Sequence, residues 1–319
     1  MPAPRIKFGV YIPQDISYAT ARQLAQAADQ LGYHSLWFID HLIGASVKVD
    51  APMLECWTLM SAMAEITQRI RIGTMVLCNA FRSPALLAKM TATLDVISHG
   101  RLECALGAGW YEKEFRQYGF AFPAVAMRIK QLEESIEIIK RMWTQDEASF
   151  HGTYYTIEGA VNNPKPLQKP HPPLHIGGRG EKLMLRLVAK HADLWNVSAG
   201  TSLEEYRHKA AVLEQHCHAV GRDPASIARS RQMIVVLGDN PADLGKKIRQ
   251  AQERFALFGT MQQVAIRGTP EACIAQIQES IALGVTYFVF FLSEVSIHPE
   301  TQGIETLRLF AEKVMPAFA

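Results

Sequence analysis

The segment TYFVFFLS (residues 286–293) is apolar at every position from Tyr287 to Leu292. A strand that turns only one face to the core alternates apolar and polar residues, whereas a continuous apolar run indicates burial on both faces. Strands of that kind belong to parallel sheets, which are covered by helices because each parallel pair needs a crossover connection. This segment therefore predicts an α/β fold with a buried parallel sheet.

The rest of the chain repeats this unit. Segments with helical periodicity alternate with seven earlier apolar runs, at residues 5–12, 34–39, 69–78, 101–109, 173–178, 192–198 and 230–238. Eight strand–helix units indicate a closed (β/α)₈ TIM barrel. An open doubly wound sheet is the alternative, but it would be expected to carry G-x-G-x-x-G after the first strand, where this chain has GVYIPQ.

One segment interrupts the alternation. Residues 148–172, SFHGTYYTIEGAVNNPKPLQKPHPP, contain aromatic residues, an Asn-Asn pair and several prolines, without helical periodicity. We interpret this segment as an excursion, a short hairpin followed by a Pro-rich return, and not as a domain boundary. Residues 1–319 are thus predicted to form a single domain.

Composition excludes several functional classes. Lys and Arg number 33 against 31 Asp and Glu, so no basic surface indicates a nucleic-acid partner. No apolar stretch approaches the ~20 residues of a membrane span, and the first residues lack the pattern of a secretory leader. The five cysteines are isolated, as expected of buried thiols in a reducing compartment. We therefore expect a cytoplasmic protein without a membrane partner.

In a barrel of this kind, function is located where strands end and βα loops begin. The second strand ends in Asp40 and His41, within WFIDHL (37–42). Histidine can donate or accept a proton near neutral pH, and a neighbouring carboxylate can orient it or bind a cofactor hydroxyl. The alternative is a capping Asp40 beside a loop histidine, and the pair alone does not decide between them.

The third and fourth strands end in glycine-rich and aromatic segments. The run GTMVLCNAFRSP is longer than a barrel strand requires, which indicates a bulge between Gly73 and Asn79. In ALGAGWYEKEF (105–115), Gly107 and Gly109 allow close approach of a packed helix or a flat ligand. Trp110 and Tyr111 then add aromatic surface, and Glu114 an acid.

HIGGRGEK (175–182) follows the fifth strand. Gly177, Gly178, Arg179 and Gly180 precede a predicted helix, so that several backbone N–H groups and the helix dipole could hold a phosphate. Arg179 could add a charge-assisted hydrogen bond. A flexible turn with Arg179 in solvent is the alternative. No metal site is predicted, because the histidines are scattered and the first strand does not end in His-x-His.

Together these motifs resemble the bacterial luciferase-like monooxygenase superfamily, within it the branch that uses the deazaflavin coenzyme F420. The resemblance spans nearly the whole chain, from FGVYIP and LWFIDHL to PHPPLHIGGRGEKLMLRLVAKHADLWN. Its most specific part is T-x-D-x-[IL]-S-x-G-R-[LF], followed by G-x-G-W and E-x-x-x-Y-G. The resemblance implies a TIM barrel with insertions over its mouth, residues 148–172 among them.

The resemblance also implies roles for the strand-end residues. The cofactor ring would lie against a bulge with a non-prolyl cis peptide at Met75–Val76. The predicted cofactor-binding residues are Asp40, Met75, Val76, Asn79, Gly107, Gly109, Gly177, Gly178, Arg179 and Gly180. His41, Asp40 and Glu114 would be catalytic, and Trp110 and Tyr111 would face the substrate. Relatives with a sugar-phosphate substrate have Glu where this chain has Trp110, which argues against such a substrate here.

The predicted reaction is hydride transfer between C5 of coenzyme F420 and a small organic molecule, since a deazaflavin favours two-electron chemistry. The alternative is an FMN-dependent monooxygenase that receives reduced flavin from a partner reductase. A flavin-binding protein without turnover is a third possibility, which intact Asp40 and His41 disfavour. Relatives are often dimers, so a homodimer is also predicted.

Overall fold

The parallel barrel predicted from the apolar runs is present in a computed structural model that describes residues 5–45, 49–238 and 240–319. The described residues form twelve strands: β1 (Lys7–Tyr11), β2 (Ser35–Phe38), β3 (Arg71–Thr74), β4 (Leu77–Cys78), β5 (Leu102–Gly107), β6 (Glu147–His151), β7 (Thr156–Val161), β8 (Leu174–Gly177), β9 (Leu194–Val197), β10 (Ala228–Leu237), β11 (Ala265–Gly268) and β12 (Val285–Leu292). Eight of them pair in parallel in the order β1-β2-β3-β5-β8-β9-β10-β12, and β12 pairs again with β1 to close the barrel.

Helices cover the outside of this barrel. Within the described ranges they are α1 (Tyr18–Gln30), α2 (Cys56–Ile66), α3 (Pro84–Ile97), α4 (Glu112–Gln117), α5 (Val125–Thr144), α6 (Met184–His191), α7 (Leu203–Ala219), α8 (Pro241–Arg254), α9 (Met261–Val264), α10 (Pro270–Ala282), α11 (Ser293–Ile297) and α12 (Gly303–Lys313). Local sequence sets their ends. The Ser17 side chain accepts from the Thr20 amide at the start of α1, and Gly32, with φ +83°, follows its end.

The continuous apolar run of β12 is buried on both faces, as its sequence predicts. Tyr287, Val289 and Phe291 belong to the cluster inside the barrel. Phe288 and Phe290 belong to the cluster between the strands and the helices. Period-2 alternation thus distributes one apolar segment over two cores.

The Trp37 indole fills space in the interior of the barrel. Added Cβ atoms would lie 2.5 Å from its Nε1 at Gly9 and 2.8 Å from its Cζ3 at Gly73. The strands on both sides of β2 therefore need glycine opposite this side chain. The indole N–H donates to Ser35 Oγ at 2.7 Å, and the Tyr287 hydroxyl donates to the same oxygen at 2.8 Å.

A charged group lies inside the barrel near the amino ends of its strands. The fully buried His175 ring bonds through Nε2 to Glu103 Oε2 at 2.6 Å, and the Arg71 guanidinium donates to the other oxygen of that carboxylate. Burial opposes the charge of Glu103, but His175 and Arg71 outweigh it and lower the pKa of this carboxyl to about 2.

The bulge expected in the third strand is present. From Gly73 to Leu77 the chain advances four positions, while its partners on β5, Glu103 and Leu106, are three positions apart. The extra residue separates β3 from β4, and the peptide bond Met75–Val76 within this break is cis.

The region after residue 238 contains a strand that was not predicted. Only helices were expected there, but β11 pairs with the carboxyl half of β10, from Ile234 to Leu237. The amino half of β10, Ala228 to Arg231, pairs with β9. Because β10 is ten residues long, β11 extends the barrel wall beyond β9. The four residues of β11, AIRG, are too few to show the period-2 alternation by which a strand is recognised.

The excursion forms the expected hairpin, but its Pro-rich return lies at the amino end of the barrel and not over the mouth. Strands β6 and β7 pair antiparallel between α5 and β8. A segment that leaves a helix and enters a strand begins and ends at the amino end of the barrel. Accordingly, Gln168 donates to Asp95 and to the carbonyl of Leu102, the first residue of β5. The mouth insertions follow β2, β5 and β10 instead.

All five cysteines are buried and unpaired, as their isolated positions indicate. None of the helices in the described part of the chain has the length and apolar character to cross a membrane.

The position of His34 beside the buried Glu103 predicts that the protein loses stability in acid. The Nε2 atom of His34 lies 3.9 Å from Glu103 Oε1, and burial lowers the pKa of His34 to about 4 although Glu103 opposes that shift. Between pH 6.5 and 4 the unfolded chain therefore binds this proton before the folded protein does, and stability decreases as the pH falls.

Replacing this histidine tests the prediction. We expect the fall in unfolding free energy between pH 7.5 and 4.5 to be smaller by on the order of 2 kcal/mol in His34→Gln than in the wild type. Urea unfolding at the two pH values measures it. The exposed His151, which pairs with Glu158, supplies the control variant His151→Gln. Equal acid sensitivity in all three proteins would contradict the prediction.

Candidate active site

A single cavity of ≈ 580 Å³ joins most of the predicted site residues at the carboxyl ends of the strands. Twelve of them line it: Asp40, His41, Met75, Val76, Gly107, Gly109, Trp110, Glu114, Gly177, Gly178, Arg179 and Gly180. They come from the ends of β2, the break after β3, β5 and β8. Since these strands are neighbours in the barrel, residues far apart in sequence converge on one space.

Two predicted residues lie outside this lining. Asn79 is buried beyond β4, where its Nδ2 lies 3.4 Å from the Tyr155 hydroxyl. Tyr111 stacks on Trp110, with ring centroids 5.3 Å apart, and does not line the cavity. Trp110 itself is at the rim, half exposed, with its ring edge-on to His41.

His41 is held by a buried carboxylate. Its Nδ1 lies 2.8 Å from Glu114 Oε1, and the other oxygen of Glu114 accepts from the Leu42 amide at 3.0 Å. Glu114 is only 2% exposed. Both of its oxygens are thus engaged, and Nε2 is the nitrogen of His41 that remains available to a ligand. Sequence analysis named both residues but not their pairing.

Asp40 is also engaged within the protein. Its two oxygens accept from Arg82 at 2.7 and 3.0 Å, and one of them accepts from the Cys78 amide at 2.8 Å. Arg82 donates in addition to Glu55 at 2.9 Å. Burial raises the pKa of the Asp40 carboxyl, while the Arg82 guanidinium acts in the opposite direction. This ion pair connects the loop after β2 to the loop after β4.

Two of the site glycines make room for a side chain of the protein. Added Cβ atoms would lie 2.5 Å from Val76 Cγ2 at Gly107 and 2.8 Å from Val76 Cγ1 at Gly177. Val76 therefore packs against the carboxyl ends of both β5 and β8. Gly109, with φ +77°, is similarly close to Phe115 and Cys78. Close approach of a packed helix or a flat ligand was expected at Gly107 and Gly109, and the atoms that lie closest to them belong to side chains of the protein itself.

The loop after β8 presents unpaired amides. Gly178 N donates to the Asn196 carbonyl at 3.2 Å, whereas the described residues provide no acceptor for the amides of Arg179 and Gly180. The helix was expected directly after this loop, but α6 begins only at Met184. Arg179 donates to both oxygens of Glu205 at 3.1 and 3.0 Å.

The other side of the cavity was missed by sequence analysis. It is formed by residues of β1, β9, β10 and β12, by the end of α8 and by the segment that follows α8, among them Tyr11, Asn196, Gln232, Arg254, Phe255, Phe258 and Phe291. A signal existed for two of them. Phe291 ends the inward face of β12, and Gln232 directly precedes the apolar residues 233–237 of β10. The described residues include no group of three or more His, Cys, Asp or Glu side chains arranged to hold a metal ion.

Comparison with known proteins identifies the class. A family model for luciferase-like monooxygenases matches residues 6–257, and the chain therefore belongs to that family. An FMNH₂-dependent dimethylsulfone monooxygenase of Pseudomonas putida is 32% identical over 226 residues, 68% of this chain and 60% of that protein. An F420-dependent glucose-6-phosphate dehydrogenase of Amycolatopsis mediterranei is 26% identical over 319 residues, 92% of both chains. The protein is accordingly an oxidoreductase.

Solved structures agree on the fold. An F420-dependent secondary alcohol dehydrogenase, in complex with an F420-acetone adduct, superimposes with a TM-score of 0.85 over 99% of both chains at 21% identity. This likeness confirms the α/β TIM barrel.

The contact of Val76 with two glycines predicts that these positions are coupled. We expect Gly107→Ala to lower the unfolding free energy by about 1–3 kcal/mol, because the new methyl group displaces the Val76 side chain. In a Val76→Ala background the same change should cost much less. Urea unfolding of the four proteins measures the coupling.

Gly245→Ala is the matched control, since a Cβ there would meet only Arg249 Nη1 at 3.8 Å. An equal cost of Gly107→Ala in both backgrounds would show that Val76 is not the obstacle.

Proposed function

We propose that this protein binds coenzyme F420 and transfers a hydride between that cofactor and a small organic substrate. The observation that carries the proposal is the convergence, in one cavity, of an amide-rich loop and a histidine held by a carboxylate. The full-length similarity to an enzyme named for its dependence on F420 supports it. The FMNH₂-dependent relative matches a smaller part of the chain.

The lining residues fit such a cofactor in two places. The amides of Arg179 and Gly180, which lack acceptors among the described residues, would receive its phosphate. The break at Met75–Val76, with Gly107 and Gly109 opposite, would hold the flat ring. When bound, the deazaflavin supplies two-electron chemistry, with C5 accepting or releasing the hydride. Asp40 would contribute by fixing this wall through Arg82 and the Cys78 amide.

His41 would accept a proton from the substrate or return one to it. A carboxylate can only accept hydrogen bonds, so the contact with Glu114 places the proton of a neutral His41 on Nδ1. Nε2 is then the free base that accepts a proton from a substrate hydroxyl, or returns one in the opposite direction. Glu114 acts through His41 as a positioning residue.

FMN is the second candidate cofactor, and one observation favours it. Coenzyme F420 has a long acidic tail, which requires uncompensated cations at the mouth. Three arginines of the loops around the mouth are paired: Arg82 with Asp40, Arg116 with Glu112, and Arg179 with Glu205. FMN ends in a single phosphate and does not require these additional cations at the mouth. The corresponding reaction would be a monooxygenation with reduced flavin supplied by a partner reductase.

A binding titration distinguishes the two cofactors. The purified protein is titrated with coenzyme F420 and with FMN, followed by ligand fluorescence. Tighter binding of F420 by at least about tenfold, or 1.4 kcal/mol, supports the proposal. Tighter binding of FMN by the same margin would replace it with the monooxygenase. Glu205→Gln, which frees Arg179, should strengthen the binding of either phosphate-bearing cofactor.

The pairing of His41 with Glu114 makes a kinetic prediction. In Glu114→Gln an amide N–H faces Nδ1 and forces the proton of His41 onto Nε2, which removes the free base. We expect both Glu114→Gln and His41→Gln to slow hydride transfer by roughly 10²–10⁴-fold, with cofactor affinity changed less than about threefold. Stopped-flow absorbance of the cofactor, after fluorescence titration of its affinity, gives both quantities.

Glu112→Gln is the control for this pair, because Glu112 lies on the same helix but pairs with Arg116 in solvent. Unchanged hydride transfer in His41→Gln with intact cofactor affinity would remove His41 from the mechanism.

A homodimer and a cytoplasmic location stay predictions. The apolar residues of α2 that are compatible with a dimer contact, Leu59, Met60 and Met63 among them, are buried against the rest of this chain. They therefore do not call for a second subunit.

A further inference from the structure

The aromatic side of the cavity has a common character. Phe291 lies at its centre, with ring centroids 4.7 Å from Tyr11, 5.9 Å from Phe255 and 5.7 Å from Phe258. We call these four residues the aromatic wall. All four line the cavity, and no role has been assigned to them so far. A packed set of rings offers a ligand a large apolar surface and few hydrogen bonds.

The cation nearest in sequence to this wall is neutralised. Arg254, directly before Phe255, also lines the cavity, but both of its terminal nitrogens donate to Asp15 at 2.8 Å. A bidentate pair of this geometry satisfies the fork of the guanidinium. Its Nε is buried without a partner among the described residues, which leaves one N–H and no surplus charge.

The other charged side chains that line the cavity within the described residues also have partners. Arg82 pairs with Asp40 and Glu205 pairs with Arg179, while Glu114 accepts a hydrogen bond from the neutral His41. A phosphorylated substrate would have to leave water without an unpaired cation to meet it, which is unfavourable. The loop of free amides at Arg179 and Gly180 is the exception, and the cofactor phosphate takes that place.

We propose that the substrate is an uncharged molecule whose apolar part packs against the aromatic wall, and not a phosphorylated sugar. This inference rests on the proposed function, because it assigns the amide loop to the cofactor. It separates this chain from the similar protein named a glucose-6-phosphate dehydrogenase. Trp110, half exposed at the rim, adds apolar surface on the same cavity.

Calorimetric binding to the cofactor-loaded protein tests the inference without turnover. The probes are the neutral ketones from 2-butanone to 2-octanone, the acidic 5-oxohexanoate and glucose 6-phosphate. We expect affinity to rise about fourfold for each added methylene, as burial of that group implies. The two anions should bind more weakly than 2-hexanone. Phe258→Ala should weaken the binding of 2-octanone on the order of tenfold and flatten the dependence on chain length.

Phe150→Ala is the matched control, since Phe150 is a partly buried phenylalanine of β6 that does not line the cavity. Affinity independent of chain length, tighter binding of either anion, or an unchanged dependence in Phe258→Ala would each overturn the inference.

Kinetics on the corresponding secondary alcohols separates this result from the proposed function. If no alcohol reduces coenzyme F420 while the ketones still show the methylene dependence, the proposed function fails and the neutral apolar subsite stands. If turnover occurs while calorimetry shows no such dependence, the proposed function stands and the neutral apolar subsite fails.

Discussion

The Trp37 side chain on the barrel axis is the constraint on which the rest of the site depends. It occupies the space left by Gly9 and Gly73 on the two neighbouring strands, and its N–H bonds to Ser35. A slip of β2 by one residue would exchange Trp37 with Phe38 between the barrel interior and the helix layer. The register fixed by this indole also determines where the strand ends. Asp40, three residues after Trp37, and His41 therefore lie at the mouth of the barrel.

Three ion pairs and one hydrogen bond connect the loops of the mouth to one another. The ion pairs join Asp40 to Arg82, Arg179 to Glu205 and Asp15 to Arg254, and the hydrogen bond joins His41 to Glu114. Each of the four joins the end of one strand to a different element. The contacts of Asp40 with Arg82 and of His41 with Glu114 are largely buried, so neither partner can be removed without leaving the other unpaired. Within the described residues, the cavity walls thus carry no uncompensated cation, although several of their side chains are charged. Its amide loop is the place where an anion finds unpaired donors.

Much of this arrangement could be read from the sequence because it rests on local signals. The apolar runs predicted the parallel barrel. The glycines and ionisable residues after strands β2, β3, β5 and β8 predicted one side of the cavity. The pairing of His41 with Glu114 could not be found in this way, since the two residues are 73 positions apart and only folding brings them together.

The missed features share a different cause. Arg254 ends α8, whose pattern resembles that of any covering helix, Phe258 lies in the short turn after it, and β11 is too short to be recognised. The placement of residues 148–172 over the mouth failed for a topological reason. A connection from helix to strand must begin and end at the amino end of the barrel, whatever its composition.

The wedge formed by Val76 has a consequence for how such a site can change over time. Its two methyl groups rest on the α-carbons at positions 107 and 177, which belong to the strands that end in the Gly107–Gly109 turn and in the amide loop. A larger residue at position 107 or 177 therefore costs stability unless the residue at position 76 becomes smaller. Substitutions of these two glycines should thus be found more readily in combinatorial libraries that also vary position 76 than in single-site libraries.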